Sequence, residues 1–167
     1  MKKFFKEIYP YLIIIAVVVL IRTFLFTPIR VDGPSMNPTL KNNDIMILNK
    51  IKKIKRFDIV VINCDKVIDG QRKKTVLIKR VIGLPGETIE VRDGNIYIND
   101  KKIKDKYGFG KTSDFGKMKI PKGEYFVLGD NRSISADSRI FGTFTKKSIR
   151  GTTRFILFPF KHFGKVK

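Results

Sequence analysis

The pattern of apolar positions begins with one long run near the N-terminus. Residues 8–26 are almost wholly apolar, and a short basic segment, residues 1–7, precedes them. A helix over this run would be roughly 28 Å long at about 1.5 Å per residue, which is close to the hydrocarbon thickness of a bilayer. Pro28 then prevents the helix from continuing. The pattern predicts a single transmembrane helix over residues 8–26.

A cleaved signal peptide is the alternative interpretation of this run, since it also has a basic start and an apolar core. Such a peptide ends in a small-x-small cleavage site. The run here ends instead in Arg22-Thr23-Phe24-Leu25-Phe26. We therefore expect an uncleaved anchor, with residues 1–7 as a cytoplasmic tail. The lysines of the tail favour this orientation, although long domains are translocated largely regardless of their charge.

Short apolar runs rich in β-branched residues follow the anchor. Five of them are typical of buried strands: residues 44–48, 58–62, 75–82, 124–128 and 153–158. Two further runs alternate around Asp93-Gly94, a turn signal that predicts a β-hairpin over residues 89–98. Residues 104–118 are polar, and we interpret them as a mobile excursion. No helical periodicity follows the anchor, so we predict an all-β domain over residues 27–167.

The charge changes the expected partners more than the expected fold. The formal net charge is +20, which attracts the domain to anionic surfaces such as lipid headgroups, nucleic acid or acidic polymers. Lysine and arginine are scattered along the chain, and no zinc-finger, helix-turn-helix or aromatic RNA-binding signature accompanies them. We expect membrane lipids, including anionic ones, as partners, and no nucleic acid.

Two residue types limit the possible chemistry. Cys64 is the only cysteine and His162 the only histidine, so a thiolate or imidazole metal cluster is excluded. A Ser-His-Asp triad would have to use His162, and no Gly-x-Ser-x-Gly motif is present. Any catalysis must proceed without histidine, metal or cofactor.

Ser35 is a candidate nucleophile. It lies just past the anchor, between the turn signals Gly33-Pro34 and Asn37-Pro38, which can leave a small side chain projecting from an irregular backbone. The alternative is a polar turn that only joins the anchor to the domain.

Lys79 is a candidate base for this serine. A lysine can act as a base if burial lowers its pKa from about 10.4 towards 8. The strand period places Leu77, Lys79 and Val81 on one face, where aliphatic neighbours would exclude water from the amine. The alternative is a lysine at a strand edge with its ammonium in water.

The stretch from Gly129 to Gly142 is rich in hydroxyls, carboxylates and arginines, and it follows a predicted strand. Such a loop can hold an Asp-Arg pair and place a hydroxyl beside a neighbouring amine. A hydrogen-bonded turn without further role is the alternative.

Together, these blocks resemble the bacterial type I signal peptidases, in their short Gram-positive-like form. The match rests on four blocks in order after the anchor: Ser35-Met36-x-Pro38-Thr39-Leu40, Asp58-Ile59-Val60-Val61, Lys79-Arg80-Val81-Ile82-Gly83-Leu84-Pro85-Gly86-Glu87 and residues 129–142.

The resemblance implies a membrane-anchored serine endopeptidase with a Ser/Lys dyad and an acyl-enzyme. Ser35 matches the nucleophile, Lys79 the general base and Ser135 the hydroxyl that orients the lysine. The substrates would be exported preproteins, cut after small residues at the first and third positions before the bond. The fold would consist of twisted β-sheets on the outer face of the cell membrane.

Further residues of the same blocks match the surroundings of the dyad. Asp137 and Arg139 match a structural ion pair, and Asp130 and Asn131 belong to the same loop signature. Met36 and Arg80 adjoin the two dyad residues and complete the supporting set.

One position departs from part of the family. Some members carry a serine two residues before the nucleophile, whose hydroxyl helps to bind the oxyanion, whereas this chain has Gly33. The backbone N–H of Ser35 remains as one donor. The interval between Lys79 and Gly129 is also compact, which leaves little room for the large accessory domain of longer members.

Three other functions fit parts of the sequence. Self-cleaving repressors use a Ser/Lys dyad on a β-rich domain, but they carry a helix-turn-helix region where this chain has an apolar run. An anchored basic module could bind anionic polymers without catalysis. An inactive homologue is the third, and the presence of both Ser35 and Lys79 argues against it.

Overall fold

A computed structural model describes residues 2–20, 25–68 and 71–166 of the chain. Residues 1, 21–24, 69, 70 and 167, which belong to the predicted tail, anchor and domain, lie outside this described part.

The N-terminal helix, α1, covers Lys2–Leu20 and contains Pro10. Among the described residues, no helix is both long enough and apolar enough to be assigned as a membrane span. The predicted anchor reached Phe26, but this residue is the first of strand β1, Phe26–Arg30. The strand was not predicted, because its five residues combine the end of the apolar run with a proline and an arginine and show no strand alternation.

The domain that follows is built almost entirely from strands, as predicted. After β1 they are β2 (Ile45–Asn49), β3 (Ile59–Ile68), β4 (Gln71–Gly83), β5 (Thr88–Arg92), β6 (Asn95–Ile98), β7 (Lys101–Lys102), β8 (Phe115–Lys119), β9 (Glu124–Leu128), β10 (Phe144–Thr145), β11 (Ile149–Phe158) and β12 (Gly164–Lys165). The helical pieces described after β1 are the four-residue α2 (Ser138–Phe141) and the 3-10 turns Lys146–Ser148 and Phe160–His162. The prediction of an all-β domain is confirmed.

The main sheet has eight described strands in the order β1-β2-β11-β3-β4-β9-β10, with β12 paired to β11. The pairs along this order are antiparallel. The last long strand, β11, is inserted between β2 and β3, so it joins the N-terminal part of the sheet to the long β3–β4 hairpin. In that hairpin, Val60 is paired with Lys79 and Ile59 with Arg80.

A second sheet has the described order β7-β6-β5-β8. The hairpin predicted around Asp93-Gly94 is present, with Arg92 paired to Asn95 and both turn residues at positive φ. The prediction of a mobile excursion over residues 104–118 needs correction, because β8 begins at Phe115 and pairs with β5. The alternation of apolar and polar residues is weak in this segment, and its structure is fixed instead by contacts with residues that are distant in the sequence.

Three apolar clusters form the core. The first joins the loop before β2 to the main sheet, through residues such as Met36, Leu40 and Ile59. The second lies between the two sheets around Phe126, and the third packs on the other part of the main sheet around Val60 and Val127. The first cluster holds the Ser35 loop, and β4, which carries Lys79, contributes side chains to all three.

Candidate active site

The Ser35 loop connects β1 to β2 and is fastened by apolar side chains on both sides of the serine. Val31, Met36 and Leu40 are all buried in the first core cluster. A backbone hydrogen bond from the N–H of Leu40 to the carbonyl of Met36, 2.9 Å long, closes the turn after the serine. Ser35 itself stays half-buried, so its hydroxyl lies at the boundary between core and solvent.

Lys79 lies in β4, between β3 and β9. Its side chain is only 3% exposed, and its strand neighbours Leu77 and Val81 pack against the third core cluster. The predicted face of Leu77, Lys79 and Val81 is therefore turned inward. The alternative of a lysine at a strand edge with its ammonium in water is wrong.

The structure brings the two predicted dyad residues together. Nζ of Lys79 lies 2.7 Å from Oγ of Ser35, although 44 residues separate them. Burial lowers the pKa of Lys79 to about 8, while the carboxylates of Asp137 and Asp130 and the thiol of Cys64 oppose this shift. Desolvation disfavours the ammonium form and is the larger effect, so roughly a tenth of the amine is neutral at pH 7.

The two carboxylates near the lysine are each paired with an arginine. Nε and Nη2 of Arg80 donate to Asp130 over 2.8 and 2.6 Å, and both side chains are buried. Arg139 donates to Asp137 from Nε and Nη2, each over 2.9 Å. Because each carboxylate is offset by a guanidinium, it stabilises a charged Lys79 less than a lone carboxylate would.

The loop after β9 approaches the Ser35 loop at backbone level. The N–H of Asn131 donates to the carbonyl oxygen of Ser35 over 3.0 Å, and the N–H of Gly129 donates to Oδ2 of Asp137 over 3.0 Å. A Cβ atom at Gly129 would lie 2.6 Å from the carbonyl oxygen of Ser35 and would overlap the side chain of Ser135. The close approach of these atoms therefore requires a glycine at this position. Backbone conformation is not the reason, because the φ of Gly129 is not positive.

Ser135 is buried within this loop, but its expected hydrogen bond to Lys79 is not formed. Its Oγ has no hydrogen-bond partner within the described residues and packs against Gly129. Met36, the other supporting residue without a polar contact, acts through packing, because it is 1% exposed in the core below Ser35.

Several residues that hold the site were missed by the sequence analysis. Arg132 is buried and donates to the carbonyl oxygen of Gly129 over 2.9 Å, to Thr112 over 3.2 Å and to the carboxylate of Asp105. The guanidinium of Arg80 also stacks on the ring of Tyr107 at 3.6 Å. These contacts fasten residues 105–112 to the catalytic loop. Arg132 lies inside the predicted loop, but its partners Thr112 and Asp105 lie in a segment without hydrophobic periodicity. The sequence pattern therefore could not indicate these contacts.

The same segment is paired to the loop through its backbone. Phe109 forms a parallel bridge with Asn131, and its N–H donates to the carbonyl of Asp130 over 2.7 Å. Since Asn131 also binds Ser35, residues 107–110, residues 130–132 and the Ser35 loop form one hydrogen-bonded layer. Among the described ranges, no cluster of His, Cys, Asp or Glu has the arrangement of a metal site.

Comparison with known proteins identifies the family of this chain. The family described as signal peptidase, peptidase S26, matches residues 4–158. The chain belongs to the signal peptidase family. The resemblance to bacterial type I signal peptidases is thereby confirmed, and so is the prediction of a serine endopeptidase that removes signal peptides. The alternative of a basic binding module without catalysis is not favoured.

Individual relatives match nearly the whole of this signal peptidase. Signal peptidase I P of Bacillus subtilis subsp. natto is 43% identical, with 93% of this chain and 90% of the relative covered. Signal peptidase I of Bacillus amyloliquefaciens is 45% identical, with 93% and 89% covered. The crystal structure of a signal peptidase I from Enterococcus faecalis V583 is 38% identical and aligns with a TM-score of 0.53, covering 61% of this chain and 97% of that chain.

The close approach at Gly129 predicts a specific effect of one methyl group. Gly129→Ala should lower kcat/KM for a signal-peptide substrate by about 100-fold, because the new methyl displaces the Ser35 carbonyl or the Ser135 side chain. It should also lower the free energy of unfolding by about 1–3 kcal/mol through overpacking. Peptide cleavage and urea unfolding measure the two effects.

Gly116→Ala is the matched control. Gly116 lies in β8, and the methyl group of an alanine there would meet no atom within 4 Å. Like Gly129, this glycine has no positive φ, so the substitution adds no backbone strain. The variant should keep its activity. Equal effects of the two substitutions would show that the contact at Gly129 has no special role.

Proposed function

We propose that Ser35 is the nucleophile and Lys79 the general base of this signal peptidase. The observation that carries the proposal is the 2.7 Å distance between Oγ of Ser35 and Nζ of Lys79, with the lysine 3% exposed. A serine hydroxyl is a weak nucleophile at neutral pH unless an adjacent base removes its proton. A neutral amine within hydrogen-bonding distance meets this requirement.

In the proposed reaction, Oγ of Ser35 attacks the scissile carbonyl carbon while its proton passes to Nζ of Lys79. The resulting ammonium gives this proton to the departing amine, and an acyl-enzyme remains on Ser35. Neutral Lys79 then takes a proton from water, which attacks the ester, and the resulting ammonium gives this proton to Oγ of Ser35 as the signal peptide is released. The lysine ends each half-reaction neutral, so no other proton carrier is needed.

The oxyanion requires a donor next to the nucleophile. The backbone N–H of Ser35 makes no hydrogen bond to the described residues, so it is free to donate to the developing oxyanion. Gly33 carries no hydroxyl that could serve as the second donor. Asn131 is held beside Ser35 by its own backbone, and we assign to it, Asp130, Arg80, Asp137 and Arg139 the role of positioning the dyad. Met36 and Ser135 support the site by packing.

The substrate and location of the enzyme follow the same proposal. The substrates are exported preproteins with small residues at the first and third positions before the cleaved bond. The apolar part of α1 forms a membrane anchor, which is supported by its eight large apolar side chains from Leu12 to Leu20, because they are 44–59% exposed. The tail, residues 1–7, lies in the cytoplasm, and the strands from β1 onward form the catalytic domain on the outer face of the membrane.

This arrangement would place the substrate beside the dyad without tight binding. The apolar segment of a signal peptide lies in the same bilayer as the anchor, so both reactants are confined near one surface. Confinement of this kind raises the effective concentration of the scissile bond. The positive charge of the domain, +20 for the whole chain, would draw it towards anionic lipid headgroups.

Removal of either dyad group tests the mechanism. Ser35→Ala and Lys79→Met should each lower kcat for cleavage of a preprotein by about 10⁴-fold or more, because neither variant can form the acyl-enzyme at a useful rate. Cleavage is followed by gel shift and by sequencing the new N-terminus. Lys74→Met, which replaces an exposed lysine of the same strand, serves as the control and should remain active. Retained turnover in Lys79→Met, with a normal thermal unfolding curve, would contradict the proposed base.

The depressed pKa of Lys79 predicts the pH dependence. The active form is the neutral amine, so kcat/KM should rise with pH and level off above about 8, where Lys79 is deprotonated. Below this value it should fall roughly tenfold per pH unit, since the neutral fraction falls by the same factor. A rate profile from about pH 5.5 to 9.5 with a soluble peptide measures the midpoint. A profile that stays flat across this range would show that no group with this pKa limits the reaction.

The anchor and its orientation are tested on the full chain in cells. The protein should remain in the membrane pellet after alkaline carbonate extraction, whereas a variant without residues 2–24 should be released. Protease added to spheroplasts should digest the domain but spare a tag fused to the N-terminus. Release of the full chain by carbonate would exclude the anchor, and protection of the domain would reverse the orientation.

A further inference from the structure

A cavity of about 800 Å³ lies beside the main sheet and is separate from the dyad. Neither Ser35 nor Lys79 lines it. Its volume falls within the range of about 300–1,000 Å³ that is usual for small-molecule sites. Five cationic side chains line it: Arg56, Arg80, Lys106, Arg154 and Lys165. No aspartate or glutamate is among the described lining residues, so the charged groups that face the cavity are cationic.

The arginines of this cavity, which we call the basic cavity, are held in place from behind. Arg154 binds the buried carboxylate of Asp58 at 2.6 Å, and Arg56 binds Glu87 at 2.6 Å. Arg80 is fixed by Asp130, as described for the site. Each guanidinium is therefore preorganised, and the arginines would lose little further conformational entropy when a ligand binds.

Hydrogen-bond donors of the basic cavity remain available to a ligand. In the described part of the chain, the amines of Lys106 and Lys165 have no carboxylate or hydrogen-bond partner, and neither has Nη1 of Arg154. Thr153 also lines the cavity, and its buried Oγ1 has no hydrogen-bond partner among the residues that the structure describes. Ammonium and guanidinium donors converging on one space form the set that binds phosphate oxygens.

Aromatic rings complete the lining and indicate more than an inorganic ion. Phe57, Tyr107 and Phe163 contribute apolar surface to the basic cavity. Tyr107 lies under the guanidinium of Arg80, with 3.6 Å between the guanidinium carbon and the ring centroid. A phosphate ester would place its charged group among the cations and its organic part against the rings.

We propose that the basic cavity binds a phosphate group, carried either by an anionic phospholipid headgroup or by a free phosphate ester. A phosphate offers several strong acceptor oxygens, which matches the number of free donors better than a single carboxylate does. The site is additional to the dyad, and one connection between the two is Arg80, which lines the cavity and holds Asp130 beside the catalytic loop.

The experiment uses the full chain in micelles of a neutral detergent. Inorganic phosphate is titrated in one arm, and phosphatidylglycerol is doped into the micelles in the other, with phosphatidylcholine as the zwitterionic comparison. Binding is read from the phosphorus-31 NMR shift and linewidth of each probe. The test variant is Lys106→Gln with Lys165→Gln. The matched control is Lys53→Gln with Lys119→Gln, which removes the same charge from exposed positions outside the cavity lining.

We expect the cavity variant to bind a probe about tenfold or more weakly than the control variant does, because two charge-assisted contacts are removed. If it is seen with phosphatidylglycerol alone, the ligand is a lipid headgroup; if it is seen with inorganic phosphate, the cavity accepts free phosphate. Equal weakening in the two double variants would mean that only the overall charge attracts the probes, and it would overturn the proposal. Failure of both probes to bind would overturn it as well. Peptide cleavage should be unchanged in the cavity variant, so this outcome is independent of the dyad.

Discussion

The free-energy cost of placing an ammonium ion in a protein interior is the constraint on which the active site depends. A sheet that buries the side chain of Lys79 makes its neutral form accessible near neutral pH. Nearby carboxylates would undo this effect if they stood alone. Asp130 and Asp137 are instead paired with arginines, so they organise the loop by hydrogen bonding without fully restoring the charge of the lysine. The ion pairs and the neutral amine are parts of one electrostatic balance.

The large positive charge is divided between two kinds of position. Arginines at the site form bidentate contacts with carboxylates and hold separate segments together, as Arg80 does for β4 and the catalytic loop. Most lysines lie on the exposed surface, whereas Lys79 is buried. The guanidinium is suited to the first task because its planar fork matches a carboxylate and stays charged when buried. The amine is suited to catalysis because its pKa responds to burial.

Features encoded by local alternation could be predicted from the sequence. The strand period indicated the inward face of Lys79, and the Asp93-Gly94 signal indicated the hairpin, since both depend on neighbouring residues only. Contacts between distant segments could not be predicted in this way. Arg80 and Asp130 form an ion pair although 50 positions separate them in the sequence. Arg132 binds a polar segment without hydrophobic periodicity to the catalytic loop. The resemblance to a family supplied both Asp130 and Arg80 but did not supply the contact between them.

The place of β11 in the main sheet makes it the element that joins the two halves of the active site. This strand, Ile149–Phe158, lies between β2 and β3. β2 follows the loop that carries the nucleophile, and β3 forms a hairpin with β4, the strand that carries the base. A change that displaced β11 would therefore loosen the dyad from a distance, although it would touch neither reactive group.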